Sequence, residues 1–268
     1  MQIARKIISR VGNSTDPAII MQKMQQLTED KAFIQFCQSA ARKMVTGLFQ
    51  DQGHTWREAA RLNGMGRELY NALRKELQGA RGQRLRDLID SVSYRIVTFP
   101  KDIGQNVADY VAREATKGRR ASDIEKEIQA MFPTRTMASA KLIARTQVSM
   151  TGTNLTRARA ENLGLNWYIW RAVGGYGGDG RTRSSHRQMD GVLVNWSDPP
   201  NPELLFPITG KNGKPYKAPA QPYHAGQIYN CRCYPEPVVD LDLVNWPARV
   251  YIGGKIVRMT RKQFEVVA

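Results

Sequence analysis

The chain has 268 residues, of which 41% are hydrophobic and 24% charged, with a formal net charge of +16. This length suits one large domain or two small ones, and three cysteines are too few for a disulfide framework, which fits a reducing compartment. We expect no membrane span and no secretory signal, because no run of about 18 apolar residues occurs. The positive charge favours binding to a polyanion, such as nucleic acid, an acidic protein surface or anionic lipid. The alternative is a basic surface that is simply solvated.

Helical spacing of apolar residues dominates the first 163 residues. Residues 1–13 are interpreted as a short basic segment with little periodicity. Capping residues Asp16, Thr55 and Ser122 mark helix starts, whereas Pro100 and Pro133 mark helix ends. The predicted helices cover residues 16–49 (as one helix or two), 55–78, 83–98, 101–117, 122–132 and 136–162, with a break at 50–54 and a turn at 79–82.

The composition then changes to aromatic and β-branched residues, glycine and proline. Residues 167–173 predict a strand, residues 174–180 a glycine-rich loop, and residues 238–243 a second strand. Gly253-Gly254 predicts a β-hairpin over residues 249–258. The fold class is therefore α+β: a mostly helical N-terminal part followed by a small, loop-rich, β-containing C-terminal module. We expect three regions: 1–120 helical, for assembly and docking; 121–240 a central module; and 241–268 a hairpin tail.

Polar residues concentrate between Trp170 and Cys233. The run Asp179-x-Arg181-x-Arg183 predicts charge-assisted hydrogen bonds that hold the loop to its neighbours. Ser184 is interpreted as the cap of a short helix that carries His186 and Asp190 on one face. That pair fits a metal site, an acid–base pair or a structural hydrogen bond.

Cys231-Arg232-Cys233 places two thiols on one side of an extended segment. Thiolates with imidazole suit zinc, with His186 or His224 as the nitrogen donor and Asp179 or Asp190 as a further ligand. A strained disulfide and two buried small residues are the alternatives. Cys37, which lies on an apolar helical stripe, is interpreted as a core residue.

Several short motifs, each present once, follow one another along the chain. They are Ala140-Lys-Leu-Ile-Ala-Arg145-Thr146, Gly164, Trp170, Asp179-x-Arg181-Thr-Arg183-x-x-His186, Asp190-Gly191 and Asn230-Cys231-Arg232-Cys233. Together they resemble the phage Mu F-like family of head morphogenesis proteins, the minor head proteins of tailed bacteriophages, over roughly residues 120–237. Two departures are a longer glycine loop after Trp170 and Gln-Ile-Tyr before Asn230, where many relatives carry histidine or proline.

The resemblance implies a virion component that associates with the portal during prohead assembly and contacts or accompanies the genome. We therefore expect portal, major capsid and scaffold proteins as partners, and genomic DNA bound without sequence preference. The expected location is the virion head near the portal, and the host cytoplasm during assembly. A structural, non-enzymatic cluster is expected from Trp170, Asp179, Arg181, Arg183, His186, Asp190, Cys231, Arg232 and Cys233. A metal-dependent hydrolase or nuclease acting on DNA or cell wall, and a portable interaction module, are the alternative functions.

Overall fold

A computed structural model describes residues 2–62, 71, 80–117, 119–209 and 218–268. Within these ranges no helix is both long enough and apolar enough to span a bilayer. The elements in chain order are α1 (Gln2–Val11), α2 (Pro17–Glu29), α3 (Lys31–Leu62), α4 (Ala80–Thr116), α5 (Ala121–Asn162), β1 (Trp167–Arg171), α6 (Ser184–Met189), β2 (Val192–Asn195), α7 (Pro202–Leu205), β3 (Tyr234–Pro237), a 3-10 helix (Leu241–Leu243), β4 (Ala248–Ile252), β5 (Lys255–Met259) and α8 (Arg261–Val267). The predicted α+β class is confirmed.

The chain forms two compact units. Unit 1 comprises Met1–Gly47 and Leu77–Gln147, and unit 2 comprises Leu48–Glu76 and Val148–Ala268. The predicted regions 1–120, 121–240 and 241–268 were divided by their expected roles and not by compactness. That division stays a prediction.

Unit 1 buries the apolar faces of its helices in one core. Asp16 caps α2 as predicted, since its carboxylate accepts a hydrogen bond from the backbone N–H of Ala18 at 2.8 Å and Pro17 follows as the first helical residue. The prediction of an aperiodic segment at residues 1–13 is wrong. Residues 2–11 form an amphipathic helix that buries Ile7 and Val11 in this core.

Prolines do not end the helices of unit 1 as predicted. α4 continues through Pro100 and α5 through Pro133, although each proline removes a backbone donor. Phe99, Ile103 and Phe132 are all buried in the unit 1 core. Burial of apolar residues on both sides of Pro100 therefore outweighs the local cost of the proline.

Four predicted helix starts are also wrong. Thr136 lies inside α5, and Ser184 is the first helical residue of α6, because Arg183 takes the cap position. α3 continues through residues 50–54, and the Thr55 hydroxyl donates to the carbonyl of Asp51 instead of capping a new helix. α5 begins at Ala121, so Ser122 lies inside its first turn. The predicted helix end at residue 78 lies outside the described residues, and Ala80 is already helical.

Unit 2 contains a five-stranded sheet in the order β3-β1-β2-β4-β5. β2 and β4 are parallel and the other neighbours antiparallel. β4 and β5 form the predicted hairpin around Gly253 and Gly254, whose φ angles of +57° and +79° explain the need for glycine. Tyr168 and Trp170 of β1 pack in a different core cluster from Trp167, so the two faces of the strand cover separate cores.

The strand predicted at 238–243 is wrong, because Leu241–Leu243 is a 3-10 helix capped by Asp240. The strand instead lies at Tyr234–Pro237, where Pro235 and Pro237 argue against a central strand. β3 is an edge strand, where proline is tolerated.

Candidate functional site

The two thiols and one imidazole of unit 2 meet in a buried cluster. α6 carries His186, while Cys231 and Cys233 immediately precede β3. The His186 Nδ1 atom lies 3.4 Å from the Sγ of Cys231 and 3.4 Å from the Sγ of Cys233. None of the three residues is more than 4% exposed. Their donor atoms all lie within 4.8 Å of one another.

The other imidazole nitrogen faces a buried carboxylate. His186 Nε2 lies 3.2 Å from Glu203 Oε1 and 2.9 Å from the Tyr223 hydroxyl. The Tyr223 hydroxyl donates to Glu203 Oε2 at 2.5 Å. Because a carboxylate only accepts hydrogen bonds, its proximity to Nε2 favours a proton on that nitrogen. The Nδ1 atom of the same ring points at the sulfurs.

The ionisation of the cluster follows from these contacts. Hydrogen bonding from Cys233, together with His186, holds the pKa of Cys231 well below its ordinary value despite burial. Hydrogen bonding to Cys231 and burial raise the pKa of Cys233. Burial acts to lower the pKa of His186, but its hydrogen bonds with Cys231 and Glu203 outweigh burial and raise it. These contacts therefore favour the thiolate at Cys231 over one at Cys233, and the charged form of His186.

Asp179 and Arg232 form a two-bond fork at the edge of the cluster. Arg232 Nη1 donates to Asp179 Oδ2 at 2.6 Å and Nη2 donates to Oδ1 at 2.8 Å. Asp179 Oδ1 also accepts from the backbone N–H groups of Arg181 and Thr182. The Arg232 guanidinium is the largest cause of the lowered pKa of Asp179. The fork holds the glycine-rich loop against the Cys-x-Cys segment.

The neighbouring arginines have different contacts from those expected. Arg181 is exposed and contacts Asp179 through its backbone N–H. Arg183 donates from Nη2 to the carbonyl of Tyr229 at 3.0 Å, and its Nη1 lies 3.4 Å from His186 Nε2. The Asp–Arg fork of this region is formed between Asp179 and Arg232.

Trp170 of β1 packs against the cluster, and Asp190 at the end of α6 binds the backbone that follows β1. Trp170 is fully buried, and its ring lies edge-to-face with the His186 ring at 5.7 Å between centroids. Asp190 ends α6, where its Oδ1 accepts from the Ala172 N–H at 2.8 Å. Asp190 therefore fixes the residue that follows β1, through a hydrogen bond with its backbone.

His224 lies apart from the thiols. Its Nδ1 is 3.2 Å from the Tyr168 hydroxyl and its Nε2 is 3.3 Å from Arg157 Nη1. Burial and the Arg157 charge lower the pKa of His224 to about 4, so the ring is neutral near pH 7. Among the described residues, the group that could hold a metal consists of His186, Cys231 and Cys233, without His224 or Asp179.

Sequence reasoning missed Glu203 and Tyr223. Both lie in the proline-rich segment, where no periodicity distinguishes them from other polar residues. Only the fold shows that they complete the environment of His186.

The fold and the cluster define the class of this protein: an α+β protein whose C-terminal sheet is joined to a buried thiol–imidazole–carboxylate cluster. Residues 105–235 match the family model described as Phage Mu protein F like protein. This part of the chain is thus similar to the phage Mu F-like family, and the resemblance predicted from the motifs is confirmed. The region contains the whole cluster and ends before β4.

One curated relative is an uncharacterized protein from Haemophilus influenzae. It is 31% identical over 134 residues, which are 50% of this chain and 25% of the relative. The chain therefore spans about a quarter of the length of that relative. No solved structure matches the chain.

Proposed function

We propose that this protein is a minor head protein of a tailed bacteriophage, which acts in head assembly at or near the portal. The match of residues 105–235 to the phage Mu F-like family carries the proposal. Its partners would be the portal, major capsid and scaffold proteins. It would occupy the host cytoplasm during assembly and the virion head afterwards.

Charge supports a second part of the proposal, which is contact with the genome. The net charge is +16, and α1 presents exposed Arg5, Lys6 and Arg10 with no acidic residue in the helix. Cations contact phosphates regardless of base sequence, and released counterions make such binding weaken with salt. We propose α1 as one such contact surface.

Burial favours a structural role for the thiol–imidazole cluster over the alternative of a metal-dependent hydrolase or nuclease. His186 and Cys233 are 2% exposed and Cys231 is 4% exposed. A polymer such as DNA or cell wall cannot reach atoms so enclosed without opening of the unit. The cluster then holds α6 to the segment before β3, as a structural cross-link does.

The proposal is tested on assembled particles. Phage heads from an infection with the gene intact should contain this protein, and mild dissociation of heads should release it together with the portal. Infection with the gene deleted should give fewer filled heads. Heads that lack the protein in the intact infection would overturn the proposal, and so would co-purification with tail components alone.

DNA contact is tested separately with purified full-length chain. Affinity for two unrelated duplexes of equal length should be equal and should fall steeply as salt increases. Arg5→Gln with Arg10→Gln should weaken binding and reduce the salt dependence, whereas the matched control Lys255→Gln with Arg258→Gln on β5 should not. An equal loss of DNA affinity in both double variants would contradict the proposal that α1 is the contact surface.

A further inference from the structure

We propose that His186 Nδ1, Cys231 Sγ and Cys233 Sγ bind one Zn²⁺ ion, which links α6 to the segment preceding β3. The inference goes beyond a role in head assembly and depends only on unit 2. It rests on four observations: the type of donor atoms, their spacing, the orientation of the imidazole, and the groups around them.

The donor set suits zinc. Two thiolates and an imidazole are ligands that zinc takes in protein sites, whereas hard cations such as Mg²⁺ and Ca²⁺ take oxygen. The alternating positions 231 and 233 place both sulfurs against the same histidine. A bond between the two sulfurs would instead be strained at this separation in sequence.

The spacing of the donor atoms fits a tetrahedral ion. Zn–N bonds of about 2.0 Å and Zn–S bonds of about 2.3 Å at the tetrahedral angle put nitrogen and sulfur about 3.5 Å apart. The two distances from His186 Nδ1 to the sulfurs are 3.4 Å each. Both nitrogen–sulfur pairs therefore need only small adjustments, and the two sulfurs, which lie within 4.8 Å of each other, would have to be about 3.8 Å apart around one ion.

The imidazole is already oriented for metal binding. Glu203 Oε1 lies 3.2 Å from His186 Nε2 and, because a carboxylate only accepts, favours a proton there, which leaves the lone pair of the neutral ring on Nδ1, towards the sulfurs. A carboxylate behind a metal-binding histidine is a recurrent arrangement that raises the basicity of the ligand. Tyr223 fixes the carboxylate in turn, with its hydroxyl 2.5 Å from Glu203 Oε2.

Backbone groups support a thiolate at Cys231. The N–H of Cys233 donates to Cys231 Sγ at 3.4 Å, and this bond remains available when the sulfur binds a metal. The fork between Arg232 and Asp179 holds the residue between the two cysteines. Three protein donors leave one position of the tetrahedral ion for a water molecule.

Zinc binding is measured on the full-length chain purified without a histidine tag. Elemental analysis should find one zinc per chain in the wild type and in the control Cys37→Ser, whose thiol is buried in the unit 1 core. Cys231→Ser and Cys233→Ser should lose the metal. Glu203→Gln, which alters a group behind the ligand, should weaken zinc affinity by about 10- to 100-fold.

A second measurement protects the test against variants that fail to fold. Wild-type chain stripped of metal and titrated with Co²⁺ should develop sulfur-to-cobalt charge-transfer absorption, saturating at one equivalent, and zinc should abolish that absorption. A folded wild-type chain that holds no zinc and gives no such absorption would overturn the site. Retention of zinc when both Cys231 and Cys233 are serine would overturn it equally.

Discussion

Removal of the Tyr223 hydroxyl tests whether the buried carboxylate is held as the structure shows. Tyr223→Phe keeps the ring in the core and deletes one donor to Glu203, whose side chain is 0% exposed. A hydrogen bond to a charged group contributes about 1.5–3 kcal/mol, and a buried acceptor that loses its partner adds a desolvation cost. We expect the free energy of unfolding of unit 2 to fall by about 2–4 kcal/mol.

Tyr168→Phe provides the matched control. Tyr168 is also buried in the same core, but its hydroxyl contacts His224, which is neutral near pH 7. Loss of a neutral hydrogen bond costs about 0.5–1.5 kcal/mol. Tyr223→Phe should therefore be the more destabilising of the two changes by about 1 kcal/mol or more.

Tryptophan fluorescence during urea unfolding reports on unit 2 alone, because all five tryptophans of the chain lie in its residues. The slope of the unfolding free energy against urea should stay unchanged, so that midpoint shifts measure stability. A Tyr223→Phe midpoint equal to that of the wild type, or above that of Tyr168→Phe, would refute this account of the carboxylate.

Three further changes have defined outcomes. Asp179→Ala should free the loop 174–183 and expose it to trypsin, whereas the control Asp242→Ala, in an exposed ion pair on another segment, should leave cleavage there unchanged. The pKa of His224 is about 4 in the folded state, whereas its ordinary value is 6.5. As the pH falls, the unfolded state therefore takes up a proton before the folded state does. The free energy of unfolding should decrease between pH 6.5 and 4, by up to about 3 kcal/mol. His224→Gln should remove that part of the pH profile in urea titrations. Phe264→Ala, which empties a fully buried position, should cost about 3–5 kcal/mol in the same assay.

The sequence predicts those parts of the fold in which local pattern and tertiary packing agree. The helix start at Asp16 and the turn at Gly253-Gly254 are local signals that the fold retains. Pro100 and Pro133 are local signals of helix ends, but core packing overrides the one at Pro100. At β3 the local signal is misleading in the other direction, because Pro235 and Pro237 argue against a strand. Prolines are tolerated at a sheet edge, but the sequence does not reveal that β3 lies at the edge.

The candidate site shows the same contrast between residues with a local signal and residues placed by the fold alone. His186, Cys231 and Cys233 were predicted together because histidine and cysteine are rare in this chain and chemically distinctive. The partner of Asp179 was expected among nearby arginines, but the fold brings Arg232 to it from 53 positions away. Glu203 was missed because a single acidic residue in an irregular segment carries no local signal of burial.

The edge strand β3 is poorly suited to pair with a further strand. The N–H of Val238 donates to the carbonyl of Trp167, so even-numbered positions of this segment face β1. Pro235 and Pro237 therefore turn their backbone nitrogens outwards, where they offer no hydrogen to an incoming strand. At high local concentration, copies of the chain would thus be protected along this edge from intermolecular β-sheet formation.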